Sequence, residues 1–326
     1  MINVAIFGMG RAGQFRAEAI KNSERSVLVA AHDPTHGKVS PDLADTKESI
    51  LSRKDIDAVV IATPTKYHAE LAMEALKKGK HVLCEKPLGL NLSEALDMCA
   101  CAKENSRMLH VGFNYRHMSH VRAAKARLDR GDIGRPMFVR CRYGHGGHPG
   151  YEKDWCTQKE FSGGGVLIEQ AIHVLDLVRY LFGEPRKVLA RTDCCFHKFS
   201  NTEDNAFLLL ETQQGMAQIH VSWTQWMSIF ELEIFGTDGY LRLEGRDGFY
   251  GPQKLTAGHR LPDHSRPTEV TQTFENSLAH WEIDWAAFEN EIMGNVLQSN
   301  SHDGLQAQRL IEAAYASAAA KVWVEV

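Results

Sequence analysis

Short apolar runs alternate with amphipathic stretches through the first third of the chain. Val4–Phe7, Val27–Ala31, Asp57–Ala62, His81–Cys84 and Met108–Phe113 are nearly free of polar residues, as strands buried on both faces must be. Helical segments lie between them. A helix from about Gly13 to Asn22 joins the first two strands. Another, over Tyr67–Lys78, sets Ala69, Leu71, Ala72, Ala75 and Leu76 at helical spacing and stops at Gly79. A third spans Leu92–Glu104 with Ser93 near its start. Such a pattern predicts a parallel sheet with helices on both faces.

The period changes after about residue 118. A helix over Val121–Arg130 leads through Gly131–Gly134 into a strand at Met137–Tyr143, and a glycine-rich loop precedes a helical stretch from Val166 to Leu181. From 187 to 244 the apolar residues recur at every second position. Asn205–Glu211, Met216–Trp223, Phe230–Phe235 and Tyr240–Glu244 read as consecutive antiparallel strands, with turns at Gln213-Gln214-Gly215 and Thr237-Asp238-Gly239. Helices at about Trp281–Met293 and Gly304–Ala320 follow. The expected fold class is α/β, with a doubly wound parallel sheet in residues 1–118 and a second, mainly antiparallel domain in residues 119–326.

Composition narrows the function classes. A chain of 326 residues holds two domains, and a formal charge of −4 calls for neither nucleic acid nor an anionic membrane. The N-terminus runs straight into a strand, and no apolar run approaches the roughly 20 residues of a membrane span. A soluble cytoplasmic protein is expected. Seven cysteines are an odd count for a disulfide framework, so reduced thiols are expected. His145, His148 and Cys156 match no zinc spacing, and no metal is expected.

The chemistry lies at strand ends. Gly8-Met9-Gly10-Arg11-Ala12-Gly13 follows a strand and opens a helix, and Asp33 ends the next strand. Gly8 makes the tight turn, Gly10 admits a diphosphate to the backbone, and Gly13 lets helix and strand approach. Asp33 would accept hydrogen bonds from ribose hydroxyls. Its carboxylate repels a 2′-phosphate and no arginine follows it, which favours NAD over NADP; His36 and Lys38 are the basic residues nearby. Thr63-Pro64-x-x-x-His68 ends another core strand, at the edge where a cofactor would lie. Pro87 cannot continue the ladder after His81–Cys84, so Glu85 and Lys86 stand at the sheet's carboxyl edge. In the second domain Gly163–Gly165, a flexible turn that lets a ligand come close to backbone, leads into a helix with Glu169, His173 and Asp176. Glu169 and His173 are one helical turn apart, and a carboxylate there can orient an imidazole as a general base.

In order and spacing these motifs, with Asn114-Tyr115-Arg116 and Ala314-Tyr315-Ala316-Ser317-Ala318, resemble the glucose–fructose oxidoreductase / inositol dehydrogenase / rhizopine-catabolism (Gfo/Idh/MocA) superfamily over nearly the whole chain. The resemblance implies an N-terminal Rossmann domain and a C-terminal α/β domain whose open sheet joins homodimers or homotetramers. It implies cofactor contacts from Gly8, Met9, Gly10, Arg11, Ala12, Gly13, Asp33, Thr63, Pro64, His68, Glu85, Lys86, Pro87, Asn114 and Arg116. It makes Lys86 a contact of nicotinamide and substrate, His173 the acid/base and Glu169 its partner. Glu169 stands where relatives usually carry aspartate, and Ala171 where they carry glycine.

The loop Arg142–Trp155 is rich in aromatic, histidine and glycine residues suited to sugar rings and hydroxyls. Tyr143, His145, His148, Tyr151 and Trp155 of this loop are candidate substrate residues, with Lys86, Tyr115, Gln170 and His173. This loop and Gln170 resemble family members that oxidise nucleotide sugars, which implies a UDP-N-acetylglucosamine 3-dehydrogenase activity. An inositol or aldose dehydrogenase is the alternative. A non-catalytic dinucleotide sensor and an NAD-dependent glycosidase are alternatives of other classes.

Overall fold

A computed structural model describes residues 1–35, 39–263, 265–275, 279–294 and 300–326; His36 and Lys38 lie outside them. Along the chain run β1 (Ile2–Phe7), α1 (Arg11–Lys21), β2 (Ser26–His32), α2 (Lys47–Ser52), β3 (Ala58–Ile61), α3 (His68–Lys77), β4 (His81–Cys84), α4 (Leu92–Glu104) and β5 (Leu109–Val111). All of β3 and β5 is buried, which is why these strands carry no polar face. The five strands pair in parallel in the order β2-β1-β3-β4-β5.

One further strand is reduced to a single bridge. Ala31 pairs in parallel with Ala44: its N–H donates to Leu43 O at 2.7 Å, and Asp45 N–H donates to Ala31 O at 3.1 Å. Counting that bridge as the third strand gives the order 3-2-1-4-5-6 of doubly wound dinucleotide folds. The order reverses at β1, so the loops after β1 and β3 flank a crevice at the sheet's carboxyl edge.

The second half comprises α5 (Ser119–Asp129), β6 (Pro136–Gly144), α6 (Lys159–Ser162), α7 (Ile172–Phe182), β7 (Pro185–Asp193), β8 (Asn205–Thr212), β9 (Met216–Ser222), β10 (Ile229–Gly236), β11 (Gly239–Glu244), β12 (Gln253–His259), β13 (Thr268–Phe274), α8 (Ala279–Ile292), α9 (Ser301–Ala320) and β14 (Val324–Glu325). Nine strands form one sheet in the order β13-β12-β11-β10-β6-β9-β8-β7-β14, antiparallel except for β6 and β9. β10 shows why: Phe230, Leu232 and Ile234 are buried while the residues between them are half-exposed. α7 packs against β6, and Phe207 and Leu209 of β8 are exposed.

Three features correct the sequence reading. β12 and β13 extend the sheet past residue 244, and Arg142–Gly144 belong to β6 rather than to the loop. Val166–Leu181 is not one α-helix, because Leu167–Ala171 forms a π-turn before α7. The helical stretch Lys159–Phe182 is long and apolar enough to cross a membrane by length and composition, and 83% of its most apolar window is buried inside the protein.

The chain divides into two compact units. The first is Met1–Asn114 with Glu160–Gly163 and Trp281–Gln308; the second is Tyr115–Lys159 with Gly164–His280 and Arg309–Val326. α8 joins the first unit because Trp285 and Phe288 pack into the cluster of Ile2, Val4, Ile6, Val60 and Leu83. Burial of each such side chain stabilises the unit by about 1.5–3 kcal/mol.

Candidate active site

The glycines after β1 differ in their reasons. Gly8 has a φ of +90°, and a Cβ there would lie 2.6 Å from Ala62 O. At Gly13 a Cβ would lie 2.0 Å from Gly8 O. Packing between β1, β3 and α1 therefore fixes both. Gly10 has nothing within 4 Å of a would-be Cβ, and it begins α1 without a side-chain cap. Open space thus meets the first N–H donors of the helix, a seat for a diphosphate. Asp33 accepts from Met9 N–H and Thr35 N–H, both at 2.7 Å, which holds its carboxylate beside the Gly8–Gly13 turn. These residues fit NAD: Gly8–Gly13 would hold the diphosphate and Asp33 the adenosine ribose.

The other strand ends are tied to one another. His68, 1% exposed at the start of α3, places Nδ1 2.8 Å from Pro87 O and Nε2 2.9 Å from Thr63 O. The imidazole thus links the loops after β3 and β4. Thr63 and Pro64 precede a short 3-10 turn, and the Thr63 hydroxyl caps nothing. Lys86 is half-buried.

Glu85 points into the unit. Its carboxylate accepts from Arg16 Nε at 2.7 Å, and Arg16, fully buried, also donates Nη1 to Asp284 at 2.6 Å. The second Asp284 oxygen lies 3.3 Å from His110 Nε2, and His110 Nδ1 lies 3.0 Å from Glu291. Burial alone would lower the His110 pKa, but Asp284 and Glu291 raise it to about 9. Asn300 completes the cluster, accepting from Val111 N–H at 2.6 Å and donating to Val111 O at 2.9 Å. This chain of charges anchors the segment that presents Lys86.

In the second unit His173 lies near the start of α7, 6% exposed, with its ring stacked on Tyr115 at 3.8 Å and 5°. The Tyr115 hydroxyl is 2.7 Å from that of Tyr143, and both tyrosines are buried. One turn past His173, Asp176 receives two hydrogen bonds from Arg116, at 2.8 and 2.5 Å, so Arg116 holds α7. Asn114 is buried at the end of the first unit. Glu169 sits within the π-turn, so its four-residue spacing to His173 crosses from wider to tighter helix. Gln170 beside it is buried.

The triple glycine answers to packing. A Cβ at Gly164 would lie 2.0 Å from the Tyr315 hydroxyl, and one at Gly165 would lie 2.2 Å from Glu203 O. The Glu203 carboxylate accepts from Gly165 N–H at 3.1 Å, Leu167 N–H at 2.9 Å and Tyr315 OH at 2.9 Å, capping the helical stretch that carries His173. The sequence reading assigned these glycines to ligand approach.

The glycine-rich loop splits in two. Tyr151 is buried among His145, His148, His197 and Trp223, at centroid distances of 5.1–5.9 Å, and burial pushes its phenol pKa up. Gly147 N–H donates to His145 Nδ1 at 3.0 Å. His148 pairs with Asp154 at 2.9 Å on the surface, Cys156 lies 3.7 Å from the Tyr151 hydroxyl, and Trp155 is 38% exposed. Sequence reasoning missed buried Arg16, His110 and Asp284 and half-buried Glu203, whose partners stand far away in the chain. A charged residue inside an otherwise apolar helix face, as Arg16 is, was the one available signal.

The first unit is therefore a dinucleotide-binding Rossmann fold. Residues 2–113 match the family described as "Oxidoreductase family, NAD-binding Rossmann fold", and residues 121–242 match the GFO/IDH/MocA C-terminal domain. The chain belongs to the Gfo/Idh/MocA family. It is similar to inositol 2-dehydrogenase of Rhizobium meliloti, 27% identical over 346 aligned positions that cover 100% of this chain and 99% of that one. It is similar to levoglucosan dehydrogenase of Pseudarthrobacter phenanthrenivorans, 40% identical over 138 residues, 42% of this chain and 35% of that protein. The solved structure of a levoglucosan dehydrogenase in complex with NADH has the same fold, with a TM-score of 0.86 at 24% identity over 100% of this chain and 99% of that one. Several curated relatives are matched over only part of their length, from 35% to 59%.

Proposed function

We propose that this chain is an NAD-dependent dehydrogenase that oxidises a secondary hydroxyl of a free sugar or polyol. The observation that carries the reading is Gly10, open to space at the uncapped start of α1 beside Asp33. NAD, when bound, supplies the hydride acceptor. His173 takes the hydroxyl proton, its plane set by the parallel ring of Tyr115. Lys86 stabilises the developing alkoxide, a kind of contact worth about 3–4 kcal/mol in the transition state. Glu169, one helical turn before His173, is assigned to steadying it.

The relatives' names bear on the substrate. Inositol 2-dehydrogenase and levoglucosan dehydrogenase act, by name, on a polyol and an anhydro-sugar, which supports the inositol or aldose alternative over UDP-N-acetylglucosamine. A cytoplasmic setting and assembly as a homodimer or homotetramer through the open sheet face are part of the proposal. Exposed Phe207 and Leu209 on that face support the second.

The test is absorbance at the NADH band with purified protein and NAD⁺. Myo-inositol, simple aldoses, levoglucosan and UDP-N-acetylglucosamine are assayed in parallel. NADH formation with a free sugar or polyol is expected. Turnover of the nucleotide sugar alone would reverse the substrate assignment, and hydrolysis with no NADH release would mark a glycosidase.

A further inference from the structure

Arg246 follows β11 in the second unit, and its Nε is buried without a hydrogen-bond partner. Among the described residues no carboxylate lies within salt-bridge distance of it. Its neighbours are aromatic: the guanidinium carbon lies 4.5 Å from the ring centroid of Tyr250, 5.1 Å from Tyr115 and 5.7 Å from Tyr143. Tyrosine faces attract a cation, most strongly where water is excluded, so the three rings hold the charge in place of an acid. Burial alone would lower the Arg246 pKa, but Tyr115, Tyr143 and Tyr250, the last also through a side-chain hydrogen bond, raise it.

Tyr115 carries both the guanidinium and the imidazole of His173 on one ring. We propose that Arg246 is a positioning residue that acts through Tyr115, fixing the plane of the His173 imidazole and holding it in its neutral, proton-accepting form. The proposal rests on the reading of His173 as the base. The ring separations of 3.8 and 5.1 Å limit the distance from cation to imidazole to about 9 Å. At an effective dielectric of about 20, a unit charge at that distance moves a titration by about one pH unit.

Other charged and titratable groups stand near His173 within its unit. On its own helical stretch Asp176 is paired with Arg116 and approached by Arg179 at 3.8 Å, and Glu169 stands in the preceding π-turn. Tyr115 faces it from the 3-10 turn at Asn114–His117, with Tyr143 of β6 hydrogen-bonded to Tyr115 and Tyr250 beyond Arg246. Every group other than Arg246, in either unit, is common to wild type and variant and cancels in their comparison.

The test is a titration of His173 in the full-length protein by NMR of labelled histidine rings, the resonance being assigned by its absence in H173N. In R246Q the midpoint is expected to rise by about one pH unit, and in R246K, which keeps the charge, to stay at the wild-type value. An unmoved midpoint in R246Q would overturn the proposal. If R246Q does not fold, R246M removes the charge while keeping a long side chain, and its midpoint is expected to rise equally; a wild-type midpoint there also overturns the proposal. Turnover of myo-inositol or an aldose by H173N at the wild-type rate would instead defeat the reading of His173 as base, whatever the titrations show.

Discussion

His110 gives the fold a pH dependence of defined sign. It is 2% exposed, lies 3.3 Å from Asp284 and 3.0 Å from Glu291, and its pKa rises from 6.5 to about 9. The folded value exceeds the unfolded one, so the imidazolium stabilises the first unit. That contribution is whole below about pH 6.5 and is lost as pH climbs through about 9. The span between the two values corresponds to on the order of 3 kcal/mol. In a unit of this size that is about 6–12 °C of melting temperature. His110→Gln keeps a donor of similar reach but carries no charge. Thermal unfolding of both proteins should show wild type ahead by most of that margin at pH 6 and the gap closed at about pH 9.5. A gap that stays constant across the range would mean that His110 is neutral in the fold, and a gap that widens with pH would reverse the sign.

The glycines separate packing from ligand space. Gly13→Val should lower the melting temperature sharply, whereas Gly10→Val should melt like wild type yet lose NADH binding in a fluorescence titration; equal loss of stability in both would refute the distinction. Asp284→Ala leaves buried Arg16 with Glu85 alone, and breaking such a pair costs about 3–5 kcal/mol, which a urea or thermal melt would register. Lys86→Ala and His173→Asn should each cut turnover by orders of magnitude while NADH affinity survives. Wild-type rates in both variants would end the proposed mechanism.

Legibility in the sequence followed how local the physics is. β1, β3 and β4 were plain because strands buried on both faces leave uninterrupted apolar runs, and β8 to β11 because one open face imposes alternation. The Ala44 bridge left no run to read, since a single residue pairs there. β13 was hidden for the opposite reason, its exposed edge showing no apolar period. Lys86 and His173 could be proposed from the sequence because proline and glycine mark the ends of the elements that carry them. The glycines' purpose was not, because Gly164 answers to Tyr315, 151 positions away in the chain. The same holds for Arg16 and Asp284, and for Arg246 and Tyr115: each charge is explained by a partner that only folding brings near. The residues proposed to react are thus marked locally, while the buried partners around them are set by tertiary contact, and it is there that variation in specificity and pH response should be sought.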